Sequence, residues 1–133
     1  MEEIYVSEVM AKNITACSPD TKIKDVIKIL SRNRISSLVI TENDEPVGII
    51  TERDLVAIME DMLNDVVCDN LSIDIFMSSP TFTVHSDIAL REAIKYSIDK
   101  RIRHLPVVNR NNKLIGLLTQ TDMVIGLFQI TNN

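Results

Sequence analysis

Slid against itself by roughly 67 residues, the chain repeats its own phrases. Val6-Ser7-Glu8-Val9-Met10 falls on Ile73-Asp74-Ile75-Phe76-Met77, and Ile35-Ser36-Ser37-Leu38 falls on Ile102-Arg103-His104-Leu105. With one residue added in the second copy, Val47-Gly48-Ile49-Ile50-Thr51-Glu52-Arg53-Asp54 meets Ile115-Gly116-Leu117-Leu118-Thr119-Gln120-Thr121-Asp122. Internal repetition at fixed spacing restricts architecture more than composition does. Two copies of one unit predict a pseudo-twofold molecule with two equivalent clefts, the repeats being 1–64 and 65–133.

Each copy holds only half of an ordinary domain, too little to bury a sizeable core alone, so the two are expected to share one core. The chain has 133 residues and no Trp, and Ile, Val and Leu must fill that core. A net charge of −5 argues against a general nucleic-acid binder, which needs a basic stripe, but not against a local basic pocket for a small anion. No apolar run approaches the ~20 residues that span a bilayer. The start, Met1-Glu2-Glu3, is acidic where a signal peptide is basic, and a cytoplasmic chain is expected.

Cys17 and Cys68 do not correspond between copies. A disulfide is open on arithmetic, but a pair of reduced, buried thiols fits such a chain better. Neither makes a CxxC or Cys/His spacing, and with only His85 and His104 beside them no metal set is expected. Nor is there a Ser/His/Asp or Cys/His arrangement or a P-loop. No catalytic residue and no catalytic cofactor are therefore assigned.

Each copy reads as strand, helix, strand, strand, helix. Ile14-Thr15-Ala16 is a short extended piece closed by the turn Ser18-Pro19-Asp20. Ile23, Val26, Ile27 and Leu30 follow at helical spacing. Leu38-Val39-Ile40 and Val47-Gly48-Ile49-Ile50 are strands joined by a turn over 41–46, and Leu55, Ile58, Met59 and Met62 mark the next helix. In the second copy Leu90, Ala93, Ile94 and Ile98 mark a helix, 105–108 and 114–118 the strands, and 109–113 their turn. The last helix carries Met123, Leu127 and Ile130 and, with Val124, Ile125 and Phe128, is apolar almost all round. Such a helix is buried on more than one side. A homodimer interface or a further domain would supply the second burial, and the segment 130–133 reads as the helix stopping.

The phrase Gly-h-h-Thr-x-x-Asp, at 48–54 and 116–122, is where polar identity survives duplication. Thr-x-x-Asp before an apolar helical run is a capping box and explains both residues without a ligand. A helix start is also an anion site, and a glycine on the preceding strand admits the close approach of a backbone or a ligand. The carboxylate can accept from a ribose diol, and the threonine hydroxyl can donate to a phosphate.

The order of these segments, twice over, resembles tandem cystathionine-β-synthase (CBS) domains across roughly 4–64 and 71–131, the pair forming a Bateman module. The resemblance implies an α/β fold of two βαββα repeats packed about a pseudo-twofold axis. It also implies adenine nucleotides, AMP, ADP or ATP, bound as regulatory ligands in clefts between repeats. One site would combine Leu117, Thr119, Thr121 and Asp122 with Ile14, Thr15, Ile35 and Ser36. Asp122 would hold the ribose, Thr119 and Thr121 would meet ribose or phosphate, and Ile14 and Ile35 would sandwich the adenine. The other would combine Ile49, Thr51, Arg53 and Asp54 with Thr81, Phe82 and Ile102, and Arg103 would reach phosphates of either. Ser36-Ser37 stands opposite Arg103-His104, Arg53 opposite Thr121 and Phe82 opposite Thr15, so unequal sites are expected. Arg53 favours the Asp54 site for a multiply charged phosphate, and Phe82 would either stack on a base or fill its pocket.

Two function classes follow. In the first, an adenine nucleotide or related adenosyl compound, S-adenosylmethionine among them, shifts a dimer geometry read by a separate or fused output domain. In the second, the chain is a structural dimerisation module whose clefts are filled by side chains. Spacing alone does not choose among adenosyl ligands.

Overall fold

The computed structural model describes residues 3–79 and 81–131, with no side-chain account of Ile130 and Thr131. The acidic Met1-Glu2 start and the Asn132-Asn133 end lie outside these residues. The elements are α1 (Val6–Val9), β1 (Ala16–Cys17), α2 (Ile23–Asn33), β2 (Leu38–Glu42), β3 (Glu45–Ile50) and α3 (Glu52–Leu63). A 3-10 turn at Ile73–Ile75 leads into β4 (Val84–His85), α4 (Leu90–Lys100), β5 (His104–Val108), β6 (Leu114–Thr119) and α5 (Gln120–Thr131). The βαββα order expected of each copy is present twice in this mixed α/β chain.

The backbone divides into two compact units that cut across the sequence repeats. One comprises 15–81, the other 1–14 together with 82–133. Each has a three-stranded sheet, β1-β2-β3 or β4-β5-β6, whose first pair is parallel and second antiparallel.

In the 15–81 unit the middle strand places Leu38, Val39 and Ile40 out of solvent, as a continuous apolar run in a central strand does. Ile23, Val26 and Leu30 of α2, Ile50, Ile58, Cys68 and Ile73 complete its buried cluster. Ile27, placed on the same face by spacing, is exposed. The hairpin is tighter than expected: the strands run on to Glu42 and Glu45, leaving Asn43 and Asp44 at φ 51° and 64°. Paired positive φ values suit the two-residue turn that matches strand twist. A register shift between Ile40 and Thr41 admits Pro46 opposite Thr41, on an edge strand.

The other unit repeats this plan around Val6, Val84, Leu90, Ala93, Leu105, Val107, Leu118 and Met123. Among the described residues each unit therefore holds a buried cluster of its own. Pro106 is accommodated in the central strand because β4 pairs only with Val107 and Val108. The longer turn is organised by Asn109, whose side-chain oxygen accepts from the N–H groups of Asn111 (2.9 Å) and Lys113 (3.0 Å).

The opening segment of each copy closes the sheet of the unit in which the other copy supplies most residues. Ala11 bridges to Leu117 and Tyr5 to Ala89, while Ser78 bridges to Ile49 and Ser72 to Lys22. This explains why glycine recurs on β3 and β6. A Cβ on Gly48 would lie 2.3 Å from Met77 Sδ, and one on Gly116 2.5 Å from Met10 Sδ. The close approach is made by a methionine side chain, joined at Gly116 by the Ala11 carbonyl oxygen at 3.0 Å.

The apolar helix faces are only partly covered. Met59, Met62, Val124, Ile125, Leu127 and Phe128 are exposed. Among the described residues no helix is long and apolar enough to cross a membrane.

Candidate functional site

Each Thr-x-x-Asp phrase folds as the capping box its spacing predicts. At the start of α5 the Thr119 N–H and hydroxyl both donate to Asp122 Oδ2 at 2.9 Å, and the Asp122 N–H returns to Thr119 Oγ1 at 3.3 Å. At the start of α3 the Thr51 N–H donates to Asp54 Oδ2 at 2.9 Å and its hydroxyl to the same oxygen at 3.2 Å. Both aspartates are half-buried. Each box satisfies backbone donors that the first helical turn leaves open and contributes about 1 kcal/mol. Each also fixes a carboxylate beside the positive end of a helix, where negative charge is favoured.

Asp122 belongs to the unit formed by 1–14 and 82–133, as do Leu117, Thr119, Thr121 and Arg103. The Arg103 carbonyl accepts from the Gln120 N–H at 2.8 Å, tying the mid-repeat segment to the helix start. The guanidinium of Arg103 and the side chain of Thr121 belong to exposed residues. Ile102 packs against the core of the same unit, and Ile14 is half-buried. Phe82 turns onto α4, with its ring edge-on to Tyr96 at 6.1 Å between centroids and Lys100 Nζ 5.5 Å from its centroid. One aromatic surface is therefore engaged by a cation of its own unit.

Asp54 belongs to the 15–81 unit, as do Ile49, Thr51 and Arg53. Ile49 is buried and Arg53 is exposed. Thr15 and Ile35 are half-buried, Ile35 against the core, and Ser36 is exposed. The Thr81 hydroxyl is sealed from solvent with no hydrogen-bond partner among the described residues. An orphan of that kind costs about 1–3 kcal/mol.

Each expected set draws on both units. Leu117, Thr119, Thr121, Asp122 and Ile14 share one unit while Thr15, Ile35 and Ser36 belong to the other. Ile49, Thr51, Arg53, Asp54 and Thr81 share one while Phe82 and Ile102 do not.

Ser78 is the residue that sequence reasoning passes over. Its hydroxyl donates to Asp54, 3.2 Å from Oδ1 and 3.4 Å from Oδ2. The repeat places Ala11 opposite it, and among the described residues no donor reaches Asp122 Oδ1. The available signal is position, one residue beyond the methionine that both copies retain.

The cysteines are free thiols. Burial pushes the Cys68 thiol up, helped by the carboxylates of Asp61 and Asp69. Burial also raises Cys17, against a hydrogen bond from Thr21 that lowers it, with Asp20 raising it slightly further. Among the described residues no group of three or more His, Cys, Asp or Glu could hold a metal ion.

Comparison with known proteins agrees with this architecture. The chain is 39% identical over 127 residues to an uncharacterized protein of Methanopyrus kandleri, covering 93% of this chain and 63% of that one. It is 31% identical over 125 residues to the inosine-5'-monophosphate dehydrogenase of Methanocaldococcus jannaschii, covering 88% of this chain and 22% of the enzyme. The chain thus spans less than two thirds of these relatives' length. Among solved structures, the CBS-pair protein CBSX2 of Arabidopsis thaliana superposes with a TM-score of 0.82 at 23% identity over 99% of both chains. CBSX2 in complex with AMP gives 0.80 at 24% identity, covering 96% of this chain and 98% of that one. The CBS domain pair of protein MJ0100, in complex with 5'-methylthioadenosine and S-adenosyl-L-methionine, gives 0.80 at 23% identity over 98% and 99%. The CBS domain family model matches residues 6–61 and 71–128, and the chain belongs to that family as a tandem pair of CBS domains.

Proposed function

We propose that the chain is a cytoplasmic regulatory module, two repeats acting as one, that binds an adenosyl compound and passes a change of geometry to a partner. The observation that carries this reading is the fixed carboxylate at a helix entrance, above all Asp122, with one oxygen committed to its cap and the other without a donor among the described residues. An open carboxylate oxygen beside a helix start suits the hydroxyls of a ribose. Solved CBS pairs of the same fold hold AMP or S-adenosyl-L-methionine, which supports the ligand class.

In this reading Asp122 and Asp54 hold ribose hydroxyls, Thr119, Thr121 and Thr51 meet ribose or phosphate, and Arg53 and Arg103 supply charge to a phosphate. Ile14, Thr15, Ile35, Ser36, Leu117, Ile49, Thr81, Phe82 and Ile102 are the further residues that the family resemblance assigns to the ligand. The exposed apolar residues of α3 and α5 support a homodimer as the body whose geometry changes. Phe82, already held by Tyr96 and Lys100, favours the second reading, a dimerisation module without a ligand.

Calorimetric titration with AMP, ATP and S-adenosylmethionine separates the two. Asp122→Ala is expected to weaken binding about thirtyfold, by loss of ~2 kcal/mol of charge-assisted hydrogen bonding. A chain that dimerises yet binds none of these at millimolar concentration is the structural module instead.

A further inference from the structure

The two helix entrances share one backbone frame, in which Ser78 stands where the other has Ala11. Ser78 and Ala11 occupy matched positions: the N–H and carbonyl of Ser78 pair with Ile49 at 2.9 and 3.2 Å, and those of Ala11 pair with Leu117 at 2.9 and 3.0 Å. The methionine before each sits over the strand glycine. From this common frame Ser78 Oγ reaches both oxygens of Asp54, whereas the methyl group of Ala11 has nothing to give Asp122. We propose that Ser78 is a latch on Asp54, so that the two ribose sites are unequal and the Asp122 site fills first; this rests on the nucleotide reading above.

The physical basis is competition for lone pairs. A ribose diol must place two hydroxyl donors on one carboxylate. At Asp54, Oδ2 already accepts from the Thr51 N–H and hydroxyl, and Ser78 shares its single hydrogen between Oδ1 and Oδ2. A ligand there must displace a donor that is already in place. At Asp122 no donor among the described residues competes with the ligand for Oδ1. Ser78 is exposed, so water recovers part of the loss when the latch opens. The remaining difference is about fivefold in affinity, the scale of one net hydrogen bond. Arg53 acts the other way for phosphate-bearing ligands, because α5 carries Thr121 in its place. A ligand with a ribose and no phosphate therefore removes the contribution of Arg53, and Ser78→Ala and Ala11→Ser, each compared within its own site, isolate the hydroxyl.

The test titrates the full chain with 5'-methylthioadenosine, which has the diol and no phosphate, and with AMP in parallel. Asp122→Ala should weaken the tighter event about thirtyfold and leave the weaker one, and Asp54→Ala should do the reverse. Ser78→Ala should strengthen the weaker event about fivefold, and Ala11→Ser should weaken the tighter one by a similar factor. Without ligand, a urea-unfolding cycle on Ser78→Ala and Asp54→Ala should show coupling of about threefold in the unfolding constant.

Loss of the tighter event in Asp54→Ala, or unchanged binding in both Ser78→Ala and Ala11→Ser, overturns the proposal. So does zero coupling. A parent chain that binds neither probe at millimolar concentration refutes the nucleotide reading and the order of filling with it. Coupling measured in that same chain then assigns Ser78 to the fold alone.

Discussion

Gly116→Ala tests whether the strand glycines seat the methionines that open each repeat. The new methyl group would sit 2.5 Å from Met10 Sδ, 3.0 Å from Met10 Cγ and 3.0 Å from the Ala11 carbonyl oxygen. At Gly48 the nearest atoms all belong to Met77, with Sδ at 2.3 Å, Cγ at 2.9 Å and Cε at 3.1 Å. Unstrained contact requires about 3.5–4 Å, so either sulfur must retreat by more than an ångström. A thioether on three rotatable bonds can do that, which places Gly48→Ala near the lower limit for overpacking, about 1 kcal/mol. The Ala11 carbonyl is pinned by its pairing with Leu117, and Gly116→Ala belongs near the upper limit, about 3 kcal/mol. Restricting the unfolded chain returns roughly 0.4–1 kcal/mol in both cases. The net expectation is therefore ~2 kcal/mol of destabilisation at 116 and close to none at 48. Urea unfolding by circular dichroism measures both, and repeating Gly116→Ala on a Met10→Ala background should recover about half of the cost. Equal costs at 48 and 116, or no recovery when Met10 is shortened, would refute the reasoning.

Arg34 and Arg101 end α2 and α4 with φ 52° and 56°, in the left-handed region that glycine tolerates best. Replacing either with Gly should stabilise the chain by about 0.5 kcal/mol, the steric relief less the added freedom of the unfolded state, measured as a rise in urea midpoint. Thr119→Val removes the hydroxyl from the α5 box and should cost about 1 kcal/mol, whereas Thr119→Ser should cost far less. Burial raises the Cys68 thiol above its ordinary value of 9.0, so the folded chain holds that proton more tightly than the unfolded chain. The associated stability is complete below pH 9 and is lost as pH rises through the native value; unfolding curves from pH 7 to 10 should fall more steeply for the parent than for Cys68→Ala.

The repeat, the order of elements and both capping boxes are legible in the residues because each depends on local spacing. What escapes depends on distant partners. Ile14-Thr15-Ala16 reads as the first strand, yet pairing is confined to Ala16 and Cys17, the two residues that lie beside Val39 and Ile40. So short a strand carries no alternation to set its register. Periodicity finds the apolar faces of α3 and α5 but not what covers them, and Met59, Met62 and Leu127 are exposed. The duplicated glycines signal a close approach without naming the methionines. The contact of Ser78 with Asp54 joins residues 24 apart in sequence, and nothing local to either announces it.

Neither copy, taken alone, owns the bridge that extends its sheet. A gene fragment ending at residue 64 would lack Met77 and Ser78, and one beginning at 65 would lack Met10 and Ala11, the residues that cover the edges of β3 and β6. Two solitary copies could each become whole only by trading their leading segments, so the covalent joint does for one molecule what an exchanged pair would otherwise have to do.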